Sequence, residues 1–265
     1  MLSSVLVTAL AGLLFQSAPG AGARTVAGGS VSDGLKSPDR TTSVASPTKQ
    51  LPPEQLGDIF MARKRYREAL EQYQRCDQQS AVIVNKMGIA YHQLLDLSSA
   101  AKQYKRATKL NPHYSEAFNN LGTIYYSQKS YRRAIHLYRT ALRLAPNSAT
   151  VHSNLGTAYF STHREKEAMA EYGKALELDP EVFQRSAANG ILLQEHTVED
   201  KAKFHYYMAR VYAQKGMNDE ALQNIRKALE YGFKDRQKFR DEPEFAALKG
   251  NPEFEELMKK EPREL

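Results

Sequence analysis

Three glycines of this chain recur at a fixed interval, and an interval of this length indicates a repeat array. Gly122 follows Gly88 by 34 residues, and Gly156 follows Gly122 by the same interval. Four further columns keep it: Ala100, Ala134 and Ala168; Tyr104, Tyr138 and Tyr172; Ala107, Ala141 and Ala175; Pro112, Pro146 and Pro180. Self-similarity at roughly 20–50 residues is typical of stacked helical or β units, which usually bind other molecules rather than catalyse reactions.

Each column has a physical role in a helix–turn–helix unit. Small residues in the glycine and first alanine columns allow two helices to cross closely. The tyrosines and leucines fill the remaining space between the helices. Proline ends one helix because it cannot donate a backbone hydrogen bond, and it can open the next helix as a first-turn residue. One such pair cannot bury its apolar face alone, so neighbouring pairs must stack.

The units at 81–114, 115–148 and 149–182 resemble the tetratricopeptide repeat (TPR) family column by column. A shorter copy around Gly57 precedes them, and a copy around Ala209 follows an insertion at about 181–199. The resemblance covers residues 51–234. It implies an all-α fold, a right-handed TPR solenoid of about five helix-turn-helix repeats with a concave binding groove.

The residues after the array predict a cap, and the residues before it predict export. Residues 235–265 are expected to form C-terminal capping helices that cover the last apolar face. Residues 1–23 are predicted to be a signal peptide, because an apolar run is followed by Ala21-Gly22-Ala23, although no Lys or Arg precedes that run. The expected location is periplasmic or extracellular, with an uncleaved membrane anchor as the alternative. Residues 24–50 are small and polar and are predicted to be a disordered linker.

No pattern in the sequence points to catalysis, a metal or a cofactor. The seven histidines show no metal-ligand spacing, and the single cysteine excludes a Cys-based metal cage. There is no phosphate-binding glycine loop and no nucleophile elbow. We therefore predict a protein that is not an enzyme, with no catalytic residue, no metal, no cofactor and no small-molecule substrate.

The resemblance also implies which side chains line the groove. In TPR proteins the first helix of each pair faces it, at positions near the glycine column. Side-chain amides both donate and accept hydrogen bonds, so Asn120 and Asn154 could hold the backbone of an extended peptide, although asparagine is also common here in generic repeats. The predicted peptide-binding groove comprises Gln55, Asp58, Asn85, Lys86, His92, Asn119, Asn120, Thr123, Tyr126, Asn154, Thr157, Phe160, Tyr206, Tyr207 and Arg210.

The favoured function is a non-catalytic module that binds a protein or peptide partner in this groove. The alternative is a self-assembling structural scaffold of a cell-envelope complex. The net charge is +7, and Lys105, Lys109, Arg139 and Arg143 are predicted to form a basic column on the outer face. A weak contact with anionic surfaces is a further expectation, whereas nucleic acid is not expected, since no aromatic residue interleaves with these charges on an exposed surface.

Overall fold

The computed structural model describes residues 51–184 and 197–259, and every regular element in these two ranges is helical. The predicted signal peptide, the linker and most of the insertion lie outside the described residues. The chain divides into two units, Met1–Asp77 and Gln78–Leu265. The described part of the first unit is one antiparallel pair, α1 (Pro53–Ala62) and α2 (Tyr66–Gln74).

The described part of the second unit contains four helix pairs and a C-terminal cap, which confirms the predicted all-α repeat architecture. The pairs are α3 (Ala81–Gln93) with α4 (Leu97–Leu110), α5 (Ser115–Ser127) with α6 (Tyr131–Leu144), α7 (Ala149–Phe160) with α8 (Glu165–Leu178), and α9 (Val198–Gln214) with α10 (Asn218–Glu230). The cap comprises α11 (Gln237–Asp241), a 3₁₀ helix (Pro243–Leu248) and α12 (Pro252–Lys259).

Glycine and tyrosine columns pack against each other inside the helix pairs. A Cβ added to Gly122 would lie 2.7 Å from Cε1 of Tyr138, and a Cβ added to Gly88 would lie 2.5 Å from Cε1 of Tyr104. Real Cβ atoms do not approach other carbons so closely, so the ring occupies the space that any larger residue would need. The strict glycine column is therefore a consequence of the tyrosine column.

The fifth pair has different residues at these two positions. Ala209 takes the glycine position and Ile225 takes the tyrosine position, and both are fully buried. Alanine adds a methyl group relative to glycine, and isoleucine is smaller than tyrosine. The two changes compensate, so the space between the helices stays filled.

The turn inside each pair places one residue in the left-handed region. In the first four pairs this residue is not glycine: φ is 58° at Lys64, 61° at Leu95, 57° at Lys129 and 56° at His163. In the fifth pair it is Gly216, at 71°. Glycine adopts this conformation without strain, whereas Leu95 is a bulky residue there and its side chain is 82% exposed.

The described ends of the insertion are ordered against the array. Val182 and Phe183 are buried, and the Phe183 ring lies 5.3 Å from the ring of Tyr172. At the other end, Thr197 caps α9 in a reciprocal capping box with Asp200.

The cap closes the apolar end of the last pair. Phe239, Phe245 and Phe254 are fully buried, and Leu248 and Leu257 are nearly so. These side chains belong to one core cluster with α6 to α10. This packing is consistent with the prediction that residues 235–265 form a cap over the last apolar face, as far as these residues are described.

Candidate functional site

The candidate site is the first-helix face, which we define as the predicted groove residues carried by α3, α5 and α7. It consists of Asn85, Lys86, His92, Asn119, Asn120, Thr123, Tyr126, Asn154, Thr157 and Phe160. Direct hydrogen bonds join the three helices along this face. Asn120 Nδ2 donates to Asn85 Oδ1 at 3.0 Å, and Asn154 Nδ2 donates to Asn119 Oδ1 at 2.9 Å.

The four asparagines form one continuous chain of hydrogen bonds. Asn119 Nδ2 donates to Asn120 Oδ1 at 3.3 Å, which links the two interhelical bonds. At the far end, Asn85 Nδ2 donates to the hydroxyl of Tyr114 and to Oε1 of Glu116, at 3.3 and 3.4 Å. Every donor in the chain points the same way, from Asn154 towards the Glu116 carboxylate, so the bonds polarise one another.

Burial divides these asparagines into two roles. Asn85 is 1% exposed and Asn119 is 9% exposed, so their amides serve to hold neighbouring helices in register. Asn120 and Asn154 are half-buried. The expectation that all four line an open groove therefore needs correction, because the first two contact a ligand only if the helices separate.

A second set of hydrogen bonds uses the position that follows the glycine column. The Tyr138 hydroxyl donates to Thr123 Oγ1, and the Tyr172 hydroxyl donates to Thr157 Oγ1, both at 3.3 Å. In the first unit Tyr73 donates to Asp58 Oδ1 at 2.7 Å. These predicted groove residues thus satisfy the hydroxyls of the buried tyrosine column.

Aromatic packing closes the face at the end of α7. Phe160 is 7% exposed and meets the rings of Phe204 and Tyr207 edge-on, at 5.7 and 6.3 Å. Tyr126, which is half-buried, shares a 3.0 Å hydrogen bond with Ser161 Oγ. Phe160 is therefore a packing residue between α7 and α9, whereas Tyr126 keeps part of its ring on the surface.

Of the remaining predicted groove residues, two lie half-buried on α3 and one lies exposed in the first unit. Lys86 and His92 on α3 are half-buried, and burial lowers the pKa of His92, which favours the neutral imidazole. Gln55 belongs to the first unit, where its side chain is exposed on α1.

The fifth pair directs its predicted groove residues to the cap. The Tyr206 hydroxyl donates to Glu242, and Arg210 binds both Glu242 and Glu244. Tyr206 also stacks on Phe233, with ring centres 4.5 Å apart, and is 3% exposed. Tyr206 and Arg210 therefore anchor the cap instead of lining an open groove.

This anchor is a functional pairing that the sequence analysis missed. The sequence contains a signal for this pairing, because Glu244 follows Arg210 by 34 residues, which is the repeat interval. In the asparagine chain, the bonded residues on neighbouring first helices are 35 apart, one residue more than that interval.

Tyr207 and Arg210 also border a cleft between α8 and α9. The cleft has a volume of about 730 Å³ and a mixed lining that includes Met169, Lys174 and Glu177. Among the described residues, no three His, Cys, Asp or Glu side chains come together as metal ligands.

Models of known protein families match the central part of the chain. A family model described as TPR repeat matches residues 88–129 and 122–162, and a model described as tetratricopeptide repeat matches residues 149–182. These ranges contain α5 to α8 and the asparagine chain from Asn119 to Asn154. Residues 88–182 therefore consist of tetratricopeptide repeats, a repeat type that builds protein-interaction modules.

Solved structures with related topology include MamA from Desulfovibrio magneticus RS-1, which is 21% identical over 72% of this chain and 96% of that chain, with a TM-score of 0.47. A thermophilic TPR protein from Thermus thermophilus is 22% identical over 70% of this chain and 92% of that chain, with a TM-score of 0.47. A comparison with curated proteins gave no match. Within residues 51–184 and 197–259, each helix is too short or too polar to cross a bilayer.

Proposed function

We propose that the protein is a non-catalytic interaction module that binds an extended segment of a partner protein along the first-helix face. The accessible part of this face consists of the half-buried residues Lys86, His92, Asn120, Thr123, Tyr126 and Asn154. These side chains come from three consecutive helix pairs, which the asparagine hydrogen bonds connect. A partner segment lying across them would contact α3, α5 and α7 together.

The asparagine chain carries this proposal. A side-chain amide has two N–H donors and an oxygen with two lone pairs. The chain uses one donor of Asn154, and one donor and one lone pair of Asn120. The remaining capacity suits the N–H and C=O groups of an extended backbone. Because the network already fixes both amides, binding loses little side-chain entropy.

Cross-linking inside cells tests this assignment. A photoreactive amino acid would replace Lys86 or Asn154, and a control protein would carry it at Gln223, an exposed residue of α10. We expect the first two positions to give the same discrete cross-linked partner, identified by mass spectrometry, and Gln223 to give none. Equal cross-linking from all three positions would contradict the assignment of the face.

A self-assembling scaffold is the second candidate, and the cap bears on it. End-to-end stacking needs an exposed apolar end, whereas the cap buries its own Phe239, Phe245 and Phe254 in the core cluster of the last pairs. The C-terminal end therefore offers no such surface in the described residues. Light scattering over a range of concentrations distinguishes the two functions, since a monomer at all concentrations removes the scaffold.

Export is part of the proposal and rests on residues 1–23. An apolar run followed by Ala21-Gly22-Ala23 supports cleavage before Arg24. Sequencing the amino terminus of the protein purified from the envelope fraction tests it. A mature terminus at Arg24 is expected, and an intact Met1 in a soluble cytoplasmic fraction would contradict export.

A further inference from the structure

The positive charge of the protein is concentrated on two second helices. Helices α4 and α6 contain eight lysine and arginine residues and no Asp or Glu, in a chain whose net charge is +7. The cations of these two helices are Lys102, Lys105, Arg106, Lys109, Arg132, Arg133, Arg139 and Arg143. The next second helix, α8, differs because it carries four glutamates and two lysines.

The repeat interval aligns the exposed cations into one surface, which we call the basic face. It consists of Lys102, Lys105, Lys109, Arg132, His136, Arg139 and Arg143, all of them exposed. On α6 the members are spaced by four, three and four residues, so they form a single stripe along the helix. On α4 the lysines occupy the columns of His136, Arg139 and Arg143, 34 residues earlier.

The basic face ends at α8. In the columns of His136, Arg139 and Arg143, this helix has Ala170, Gly173 and Glu177. Glu177 is itself neutralised by an ion pair with Lys215. The face is therefore a bounded patch and is not a general property of the outer surface.

The α6 stripe surrounds a hollow and has no acidic partner in the described part of the chain. The hollow has a volume of about 320 Å³ and is lined by Ile135, His136 and the three arginines of the stripe. Arg143 donates to Thr140 Oγ1 at 3.0 Å, and none of the three arginines lies within ion-pair distance of a described carboxylate. Unpaired guanidinium groups with their planar forks are suited to bidentate binding of carboxylates.

A half-buried aromatic residue lies among these charges, although the sequence predicts none on an exposed surface. Tyr125 of α5 has Lys105 and Arg133 over its ring, each 5.6 Å from the ring centre. Two cations thus cover the ring, so it does not provide the open stacking surface that single-stranded nucleic acids use.

We propose that the basic face is a second binding surface, and that its partner is an acidic segment of another protein. A membrane-binding surface would carry large exposed apolar side chains beside the cations. In the described ranges, every large hydrophobic side chain that is exposed lies outside α4 and α6, so a membrane is a poor partner for this face. A second copy of the chain is a poor fit, because the cap's Glu253, Glu255 and Glu244 are paired with arginines of their own chain.

The dimensions of the stripe define the partner segment. Arg132 and Arg143 are eleven residues apart on α6, which corresponds to about 16 Å along the helix axis. An acidic helix with carboxylates at every third and fourth residue has the same rise, and about five residues of an extended acidic strand span the same length. This surface belongs to the second helices, so a segment bound there leaves the first-helix face free.

Fluorescence anisotropy tests the proposal with the intact protein and three probes. The probes are a labelled acidic peptide of about twelve residues with glutamates at helical spacing, a single-stranded oligonucleotide of equal charge, and vesicles containing phosphatidylglycerol. The stripe variant is Arg132→Gln with Arg139→Gln and Arg143→Gln. The control variant, Lys227→Gln with Lys234→Gln and Lys249→Gln, removes the same charge from positions elsewhere.

The proposal predicts that the peptide binds about eightfold more weakly to the stripe variant, since each exposed ion pair contributes about a factor of two. The control should change binding less than about twofold. Equal weakening by both variants would overturn the proposal, as would tighter binding of the oligonucleotide or the vesicles than of the peptide. Should the stripe variant lose helical signal, Lys102→Gln with Lys105→Gln and Lys109→Gln makes the same comparison on α4.

Discussion

Replacing Gly122 with alanine should destabilise the protein, although alanine is the better helix former. In an open helix this substitution stabilises by about 1 kcal/mol. Here the new Cβ would lie 2.7 Å from Tyr138 Cε1, inside the contact distance. The ring is 2% exposed and its hydroxyl is bonded to Thr123, so it cannot move away freely. Overpacking of this kind costs about 1–3 kcal/mol, so we expect a net loss of up to about 2 kcal/mol after the propensity gain is subtracted.

Guanidinium unfolding monitored by circular dichroism measures this loss as a lower midpoint. Gly173→Ala is the matched control, because Gly173 also lies inside a helix, α8, and its added Cβ would meet only Lys215 Cε at 3.6 Å. That variant should be stabilised by up to about 1 kcal/mol. The two glycine substitutions are thus expected to have opposite signs.

A double mutant checks the mechanism. The fifth pair combines Ala209 with Ile225, so Tyr138→Ile should relieve the clash that Gly122→Ala introduces. The loss caused by Gly122→Ala should be at least about 1 kcal/mol smaller in the Tyr138→Ile background than in the wild type. If Gly122→Ala stabilises the protein as much as Gly173→Ala does, the packing argument is refuted.

Three further substitutions test the network, the cap and a buried imidazole. Asn85→Ala leaves partners of a buried amide unpaired and should lower stability by about 1–3 kcal/mol in the same unfolding assay. Arg210→Met leaves Glu242 and Glu244 facing each other without their cation, so the cap should loosen, seen as faster proteolysis between residues 231 and 259. Burial lowers the pKa of His205 below its ordinary value near 6.5, so the folded state resists protonation of this imidazole. The free energy of unfolding should therefore fall as the pH drops below about 6.5. His205→Gln should flatten this pH dependence, measured by thermal unfolding.

The interval of the small residues was sufficient to predict the helix pairs, because glycine, tyrosine and proline act locally within each pair. The contacts between neighbouring pairs could not be predicted in the same way. The sequence indicates that Asn120 and Asn154 share a column, but not that each donates to an asparagine of the preceding repeat. Pairing across repeats depends on the rotation between neighbouring pairs, which the sequence interval alone does not define.

For a similar reason, the predicted groove included residues that are buried in the structure. A position relative to the glycine column states which way a residue faces in a regular array, but not what lies opposite it. Phe160 faces α9, and Tyr206 faces a cap that has no counterpart in the preceding pairs. Both are buried where the regular repeat ends, and there the family pattern no longer applies.

The affinity of the segment recovered by cross-linking from position 154 tests the central claim most directly. Isothermal titration would compare the wild-type protein with Asn120→Ala combined with Asn154→Ala, and with Arg139→Ala combined with Arg143→Ala, at moderate salt. The account predicts that the asparagine pair weakens binding by more than about 1 kcal/mol, because partner groups lose their hydrogen bonds, and that the arginine pair changes it little. Loss of binding with the arginine pair and unchanged binding with the asparagine pair would contradict it.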